Sequence, residues 1–569
     1  MIRTLSDRIA SLTPRWAALL LVLVCLALYL PGLASLPPMD RDEPRFAQAS
    51  KQMLETHDFV DIRYQDEARN KKPVGIYWLQ ATAVALGEAI GVPDARRTIW
   101  LYRLPSLLGA IAAVLATYWT ALAVTSRRAA FAAALLFAGT VILTVEAHLA
   151  KTDAVLCATV AVAMGALIRL YPGTAGTAPA RRGLWLPAVF WTAVGVGVLI
   201  KGPITPMVPA FTVAVLAVKD RSARWLGALR PGLGLLWVLL LVLPWLVMIL
   251  VRTHGAFLAD SVGHDMLGKV GGAQESHGAP PGTYLAAFWV TAWPMAPFAL
   301  LAAAGAWRRR REPAVAFLLA WIVPTWLLFE AVSTKLPHYV MPTYPALAIL
   351  AALVLDGPVP AMPRRRWVTV LSFALLALLP SAIAVVLAIG RGYLWESLAT
   401  GTLLLGLLAA VIGVGLAGLA ACEIGARRLL AAALPAAAAA FVLNLFVLGM
   451  LLTPGASPLL ALSGRLAATG RTVMAACPDP AFASVVDHEP SLVFLTGTDL
   501  ELTTAEGAAA FLKGGDCRAA FVERRAEPAF TAALGDVPGV ALATRVAGTA
   551  INGAKHLDIG VYVRQRSQP

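Results

Sequence analysis

Residues 16–47 read WAALLLVLVCLALYLPGLASLPPMDRDEPRFA. Trp16 to Leu36 is an apolar run long enough, as a helix, to cross about 30 Å of hydrocarbon. Polar chemistry starts directly behind it, with Asp40, Asp42, Glu43 and Arg45. The run lacks a small-residue cleavage site and leads into more membrane sequence, so it reads as a retained anchor. Apolar runs of roughly 17 to 25 residues then recur almost to Leu452. Composition agrees: of 569 residues, 59% are hydrophobic and 14% charged, too little charge to cover a water-facing surface.

About thirteen spans follow from length and apolarity, Ala129 to Val145 and Tyr284 to Trp307 among them. The stretch Val74 to Val92 is ambiguous, since it is long enough to cross yet carries Gln80 and Glu88. Charge decides it. If the stretch lies along the interface, Arg127 and Arg128, Arg181 and Arg182, Arg221 and Arg224, Arg308 to Arg311, Arg364 to Arg366, and Arg427 and Arg428 all fall on the side of the N-terminus. The positive-inside rule makes that side cytoplasmic. Val74 to Val92 is therefore expected to be an interfacial or re-entrant helix, and an odd number of spans puts the C-terminus outside. Orientation-setting loops also explain the net charge of +14, and nucleic-acid binding is set aside.

The expected organisation is a polytopic α-helical membrane domain over 1–453, with residues 37–106 as its first outer loop, and a small outer α/β domain over 454–569. Past Pro454 the apolar runs shorten to strand length, as in Ala519 to Val522 and Ile559 to Val563. Cys25, Cys157 and Cys422 fall in or beside apolar spans, where a thiol packs as a small hydrophobe. Cys477 and Cys517 share the polar C-terminal segment and could form one disulfide if that segment lies outside the membrane. Ala431 to Ala440 is helix-packing material, and no useful internal repeat is present.

Outer loops should be poor in Lys and Arg, and the first one is not. It holds Arg41, Arg45, Lys51, Arg63, Arg69, Lys71, Lys72, Arg96, Arg97 and Arg103. One explanation is a solvated loop resting on anionic headgroups. The other is an anion site in which guanidinium and ammonium groups neutralise phosphates. Acidic residues favour the second: Asp42 and Glu43 follow the first span, and Asp153 stands between the third and fourth. Carboxylates at the ends of apolar helices are costly unless hydrated or paired. A carboxylate set against cations suits group transfer, orienting or deprotonating an acceptor while the cations hold a leaving phosphate. Lys201-Gly202-Pro203 and Lys335-Leu336-Pro337-His338-Tyr339 add polar groups from other outer loops, although a Lys at a helix end often only snorkels.

The runs Asp42-Glu43-Pro44-Arg45-Phe46-Ala47 and Lys71-Lys72-Pro73-Val74-Gly75-Ile76-Tyr77-Trp78 resemble the opening outer loop of the bacterial lipid A aminoarabinose transferases. Those enzymes belong to the protein-mannosyltransferase-like glycosyltransferases of the GT-C type. The resemblance continues through Tyr102-Arg103-Leu104-Pro105-Ser106, Asp153, Lys201-Gly202, the stretch His264 to Tyr284 and the Lys335 to Tyr339 run. It implies a bacterial inner-membrane enzyme, with active site and C-terminus periplasmic. The implied reaction moves 4-amino-4-deoxy-L-arabinose from undecaprenyl phosphate to a lipid A phosphate, giving resistance to polymyxin and cationic antimicrobial peptides. The implied partners are the carrier-linked sugar, lipopolysaccharide and membrane lipids, with a monomer as the expected state.

Carried onto this chain, the resemblance makes Asp42 and Asp153 the catalytic carboxylates, with Glu43 beside them. Arg45, Lys72, Lys201, Lys335, Tyr339, Lys71 and Arg103 become candidates for the donor phosphate. At Lys71 relatives can have an acid before the Lys-Pro pair, so a metal site needing a carboxylate there is in doubt. His264 and His277, with Asp265 and Glu275, are a possible zinc set without the short spacing that such sites usually show. The alternatives are a related transferase with another polyprenyl-linked sugar or acceptor, and a lipid-linked sugar transporter. A transporter would show paired half-helices at mid-membrane and internal pseudo-symmetry.

Overall fold

The computed structural model describes residues 1–39, 41–174, 183–261, 263, 278–357, 366–390, 400–452, 462–550 and 555–565. The chain opens with α1 (Ile2–Ser11) and α2 (Pro14–Tyr29), which starts on a proline, whose missing N–H costs nothing in the first turn. The first outer segment folds into α3 (Asp42–Thr56), a ribbon of β1 (Arg63–Tyr64) and β2 (Glu67–Ala68), and α4 (Gly75–Ala89). The next helices are α5 (Ile99–Ala121), α6 (Arg127–Ala138), α7 (Val141–Ala147), α8 (Asp153–Leu170) and α9 (Trp185–Lys201). Among the described residues eight helices are long and apolar enough to cross a membrane, or nine if the bent pair α6 and α7 is one span. α4, at 15 residues about 22 Å long, is not among these helices.

Two expected continuous spans are broken, and the breaks meet. Ala129 to Val145 divides between α6 and α7 with a bend of 62°. Tyr284 to Trp307 divides into Thr283–Thr291 and Ala296–Arg308, around Pro294, which has no N–H to donate to a helix. The freed Val141 N–H donates to the Trp293 carbonyl at 3.1 Å. Backbone groups released within a membrane domain must find such partners. The bend aims α7 and the loop after it toward α3 and α5.

Basic groups of the even-numbered loops gather at one end of the bundle with the N-terminus. Arg128 pairs with Asp356 at 2.7 Å, and Arg309 donates to the Leu353 carbonyl. Arg3 of α1 and Arg428 share Glu423 at 3.2 and 3.5 Å. Arg181, Arg182, Arg364 and Arg365 lie outside the described residues.

At the other end, a buried ion pair ties the outer segment together. Glu43 and Arg103, 60 residues apart, have fully buried side chains. Nε and Nη2 of Arg103 donate to the two Glu43 oxygens at 2.7 and 3.0 Å. Nη1 donates to the carbonyls of Leu33 and Leu36, and Nη2 also to that of Pro37. All five N–H donors of a guanidinium are thereby used. Glu43 in turn accepts from the backbone N–H groups of Met39 and Ala150. Two expectations from the sequence are corrected by this geometry. Arg103 has no donor left for a carrier phosphate, and Glu43 is spent on Arg103 and the backbone. Lys51, counted as a loop cation, is also buried, paired with Glu55 at 3.6 Å, and does not face headgroups.

The C-terminal part is a small α/β unit, as expected. A five-stranded sheet runs β4 (Glu501–Thr503), β3 (Ala481–Val485), β5 (Arg518–Glu523), β7 (His556–Arg564), β6 (Val540–Thr549). The first three strands pair in parallel, with helices in their connections, and β6 and β7 close the sheet antiparallel. Cys477 and Cys517 are joined as a disulfide. The unit rests on the first outer segment. Gln65 donates to the carbonyls of Thr498 and Leu500, Gln48 donates to the Thr498 hydroxyl, and that hydroxyl donates to Glu55 at 2.7 Å. Phe494 meets Tyr102 edge to face at 5.3 Å. The C-terminal unit and the first outer segment are therefore on the same side of the bundle.

Arg103→Met should be strongly destabilising, because it leaves a buried carboxylate without its counter-charge, a loss of about 3–5 kcal/mol. Thermal unfolding of the detergent-purified protein should show a large drop, and adding Glu43→Gln should recover part of it. A single variant as stable as the parent would refute the structural role of the pair.

Candidate active site

The two carboxylates proposed from sequence lie in two neighbouring clusters of cations. Asp42, half-buried in the first turn of α3, is under the combined influence of Lys151, Arg69, Arg45 and Lys72. Burial works to raise the pKa of its carboxyl, but these four positive charges outweigh it and hold the pKa below the usual carboxylate value. Arg69 is itself held in place: its Nε donates to the Tyr77 hydroxyl at 3.3 Å, and its guanidinium lies 5.0 Å from the centre of the Phe46 ring. Phe46 and Tyr77 stack at 5.3 Å, so the contact between α3 and α4 also positions this cation.

Asp153 begins α8 and is buried. Lys201, the last residue of α9, donates to its Oδ1. The ring of His338 stands between two carboxylates, with Nε2 3.6 Å from Asp153 Oδ1 and Nδ1 3.3 Å from Glu146 Oε1. Glu146 Oε1 is also 3.8 Å from Lys151 Nζ. Tyr339 lies beneath Lys201, whose Nζ is 5.5 Å from the ring centre. Lys151 is the common element, since its charge bears on both Asp42 and Asp153.

The remaining candidates fall around this core. Lys72 is half-buried beside Asp42, and Lys71 is exposed next to it. Lys335 is buried and donates to the Val332 carbonyl of its own loop, the loop that presents His338 and Tyr339. Arg103 lies behind the site in its pair with Glu43. His264, His277, Asp265 and Glu275 lie outside the described residues, as does Asp40. Sequence reasoning does not select Glu146, Lys151, Arg69 or His338 as site residues. Glu146 is nevertheless detectable as an acid directly behind the apolar run Ala129 to Val145, a position where an unpaired carboxylate is costly.

Glu146, Asp153 and His338 bring ligand atoms within 4.8 Å of one another, which resembles a metal site. The charge balance argues otherwise. Lys151 and Lys201 already neutralise these two carboxylates, and a divalent cation among them would face both ammonium groups. The described residues do not fit a metal there.

Residues 71–248 match the family model described as dolichyl-phosphate-mannose-protein mannosyltransferase. The chain is 29% identical over 311 residues to the undecaprenyl phosphate-alpha-4-amino-4-deoxy-L-arabinose arabinosyl transferase of Pseudomonas paraeruginosa, covering 54% of each protein. The Aeromonas hydrophila protein of the same name is 27% identical over 382 residues, 65% of each. The matched segment thus spans about half the length of the Pseudomonas relative. The crystal structure of ArnT from Cupriavidus metallidurans bound to undecaprenyl phosphate superposes with a TM-score of 0.73, at 17% identity, covering 96% of this chain and 98% of that one. The Archaeoglobus fulgidus oligosaccharyltransferase in the apo form gives 0.52 at 13% identity, covering 90% and 69%. This chain is a multi-pass membrane protein with the GT-C glycosyltransferase fold, similar in sequence and architecture to the aminoarabinose transferases.

Proposed function

We propose that this protein transfers 4-amino-4-deoxy-L-arabinose from undecaprenyl phosphate to a phosphate of lipid A at the periplasmic face of the inner membrane. The observation that carries the reading is that Asp42 and Asp153, from distant segments, lie in two cation clusters that share Lys151. The names of the sequence relatives supply the donor. Three features support the orientation. Basic loops gather at the end opposite the site, the C-terminal unit lies on the site's side, and its Cys477–Cys517 disulfide belongs to an oxidising compartment.

In this reaction the bond between the anomeric carbon and the carrier phosphate oxygen breaks, and undecaprenyl phosphate leaves with the electron pair. An oxygen of the acceptor phosphate forms the new bond to that carbon. Lys72, Arg45 and Arg69 on one side and Lys201 on the other meet the negative charge that develops on the leaving phosphate. A phosphate monoester has a second pKa of about 6, so the acceptor is already largely anionic near neutral pH and needs no strong base. The low pKa of Asp42 fits that economy. A carboxylate held firmly ionised is a weak base but a good fixed negative charge, suited to the sugar's ammonium group or to positive charge developing at the anomeric carbon. The mannosyltransferase family match favours a second reading, transfer to a hydroxyl, which would require Asp42 as general base.

Lipid A from a strain lacking its own aminoarabinose transferase should acquire the sugar only when this gene is supplied, as read by mass spectrometry. Lys72→Ala should lower kcat/KM for the donor by at least about tenfold, roughly 1.4 kcal/mol, and Lys72→Arg should restore only part of it. Unmodified lipid A in the complemented strain would reject the proposed donor and acceptor together.

Asp42→Asn should reduce kcat by about a hundredfold or more, as removal of a fixed transition-state charge does. Because the folded pKa of Asp42 is depressed, the carboxylate stays charged throughout the neutral range and loses its charge only below the ordinary carboxylate range. The parent's rate profile between pH 5 and 8 should therefore show the acceptor's ionisation near pH 6 alone. An additional essential base titrating in that range would favour the hydroxyl acceptor.

Orientation can be read directly. In a Cys422→Ser background, cysteine at Lys71 should react with an impermeant maleimide in intact spheroplasts, and cysteine at Arg310 should react only after lysis. The reverse pattern would place the site in the cytoplasm.

A further inference from the structure

Glu146 is the group in this region with the least evident reason to be present. It lies in α7, on the far side of the bend, and is 2% exposed. An ionised carboxylate in such surroundings costs several kcal/mol unless it is paired. Its Oε1 is divided between His338 Nδ1 at 3.3 Å and Lys151 Nζ at 3.8 Å, while Oε2 has no hydrogen-bond partner among the described residues. Both partners in turn bear on Asp153: His338 through Nε2 at 3.6 Å, and Lys151 through its charge. Glu146, His338 and Asp153 thus form a carboxylate–imidazole–carboxylate bridge built from three separate segments.

We propose that Glu146 is a positioning residue for the transfer reaction, acting through His338 and Lys151 to hold Asp153 and its cations in place as the donor phosphate enters. The inference rests on the reading of Asp153 as a carboxylate of the active site. Two geometric facts support it. An imidazole between two carboxylates is oriented from both ends, which fixes the ring plane and with it the approach to Asp153. Lys151, whose charge bears on both Asp42 and Asp153, has its Nζ 3.8 Å from Glu146 Oε1. Without Glu146, the cations near Asp153 would outnumber the anions and repel one another. Lys151 would then be drawn toward Asp42 and the symmetry of charge across the site lost. A purely structural carboxylate would instead be expected to have its lone pairs saturated by donors, as those of Glu43 are by Arg103 and two backbone N–H groups.

The test uses the full-length chain in detergent or lipid vesicles, with the carrier-linked sugar as donor. Glu146→Gln and His338→Gln should each lower kcat by about tenfold to a hundredfold. The donor KM should move by less than about threefold, and the unfolding temperature should remain near that of the parent. Because both act through one bridge, the double variant should be no more than about twofold worse than the poorer single variant. Parental kcat in either variant, or losses that multiply in the double variant, would overturn the inference. A fall in kcat matched by an equal fall in stability would assign Glu146 a structural role and overturn it as well. If Glu146→Gln does not fold, His338→Gln decides alone by the same measure. Absence of transfer by the parent chain would remove the proposed reaction and this inference with it, whereas normal turnover in both variants would remove only the inference.

Discussion

The arrangement at the site's end of the bundle hangs on one buried ion pair. Glu43 and Arg103 bring the end of the first span, the start of α3, α5 and the loop before α8 to a single point. Charges removed from water on this scale are tolerated only when nearly every lone pair and proton has a partner, and here they have. Asp42 is the neighbouring residue in sequence. Its position is therefore set by an interaction in which it takes no part. The same pair holds the Ala150 backbone, one residue before Lys151, so the two half-sites are referenced to one another through it.

Around that fixed point the site is assembled by charge balance. Each carboxylate is met by cations from more than one segment, and three of those cations are visibly restrained. Arg69 is held against Phe46 and Tyr77, Lys201 lies over Tyr339, and Lys151 is near Glu146. At the edge of a hydrocarbon layer, screening by water is weak, and a misplaced charge is costly. Lys151 and Lys201 supply the counter-charge to Glu146 and Asp153 there. The C-terminal unit packs on α3 and the β1–β2 ribbon through amide and hydroxyl groups.

Much of this is legible in the order of residues along the chain. Apolar run lengths mark the membrane helices, because they are a one-dimensional consequence of bilayer thickness. Asp42, Asp153, Lys201 and Tyr339 stand out as ionisable or aromatic groups at the ends of apolar segments. Glu43 and Arg103 carry the same signal and are partners of each other. Lys51, counted with the loop cations, is turned inward to Glu55. Residue type and spacing do not distinguish a cation that meets a ligand from one that meets a carboxylate 60 residues away.

Local quantities suffice for the polytopic helical class, the small α/β unit after the last span and the set of polar residues from which a site could be made. Segment length, hydrophobic period and charge per loop are all that these require. Which of those residues share a site is settled in three dimensions alone. The bend between α6 and α7 carries Glu146 and Lys151 to Asp153, and a loop almost two hundred residues further along supplies His338. An ion pair depends on distance in space, with no preference for separation in sequence. Partners are therefore selected by how the helices pack and where they break.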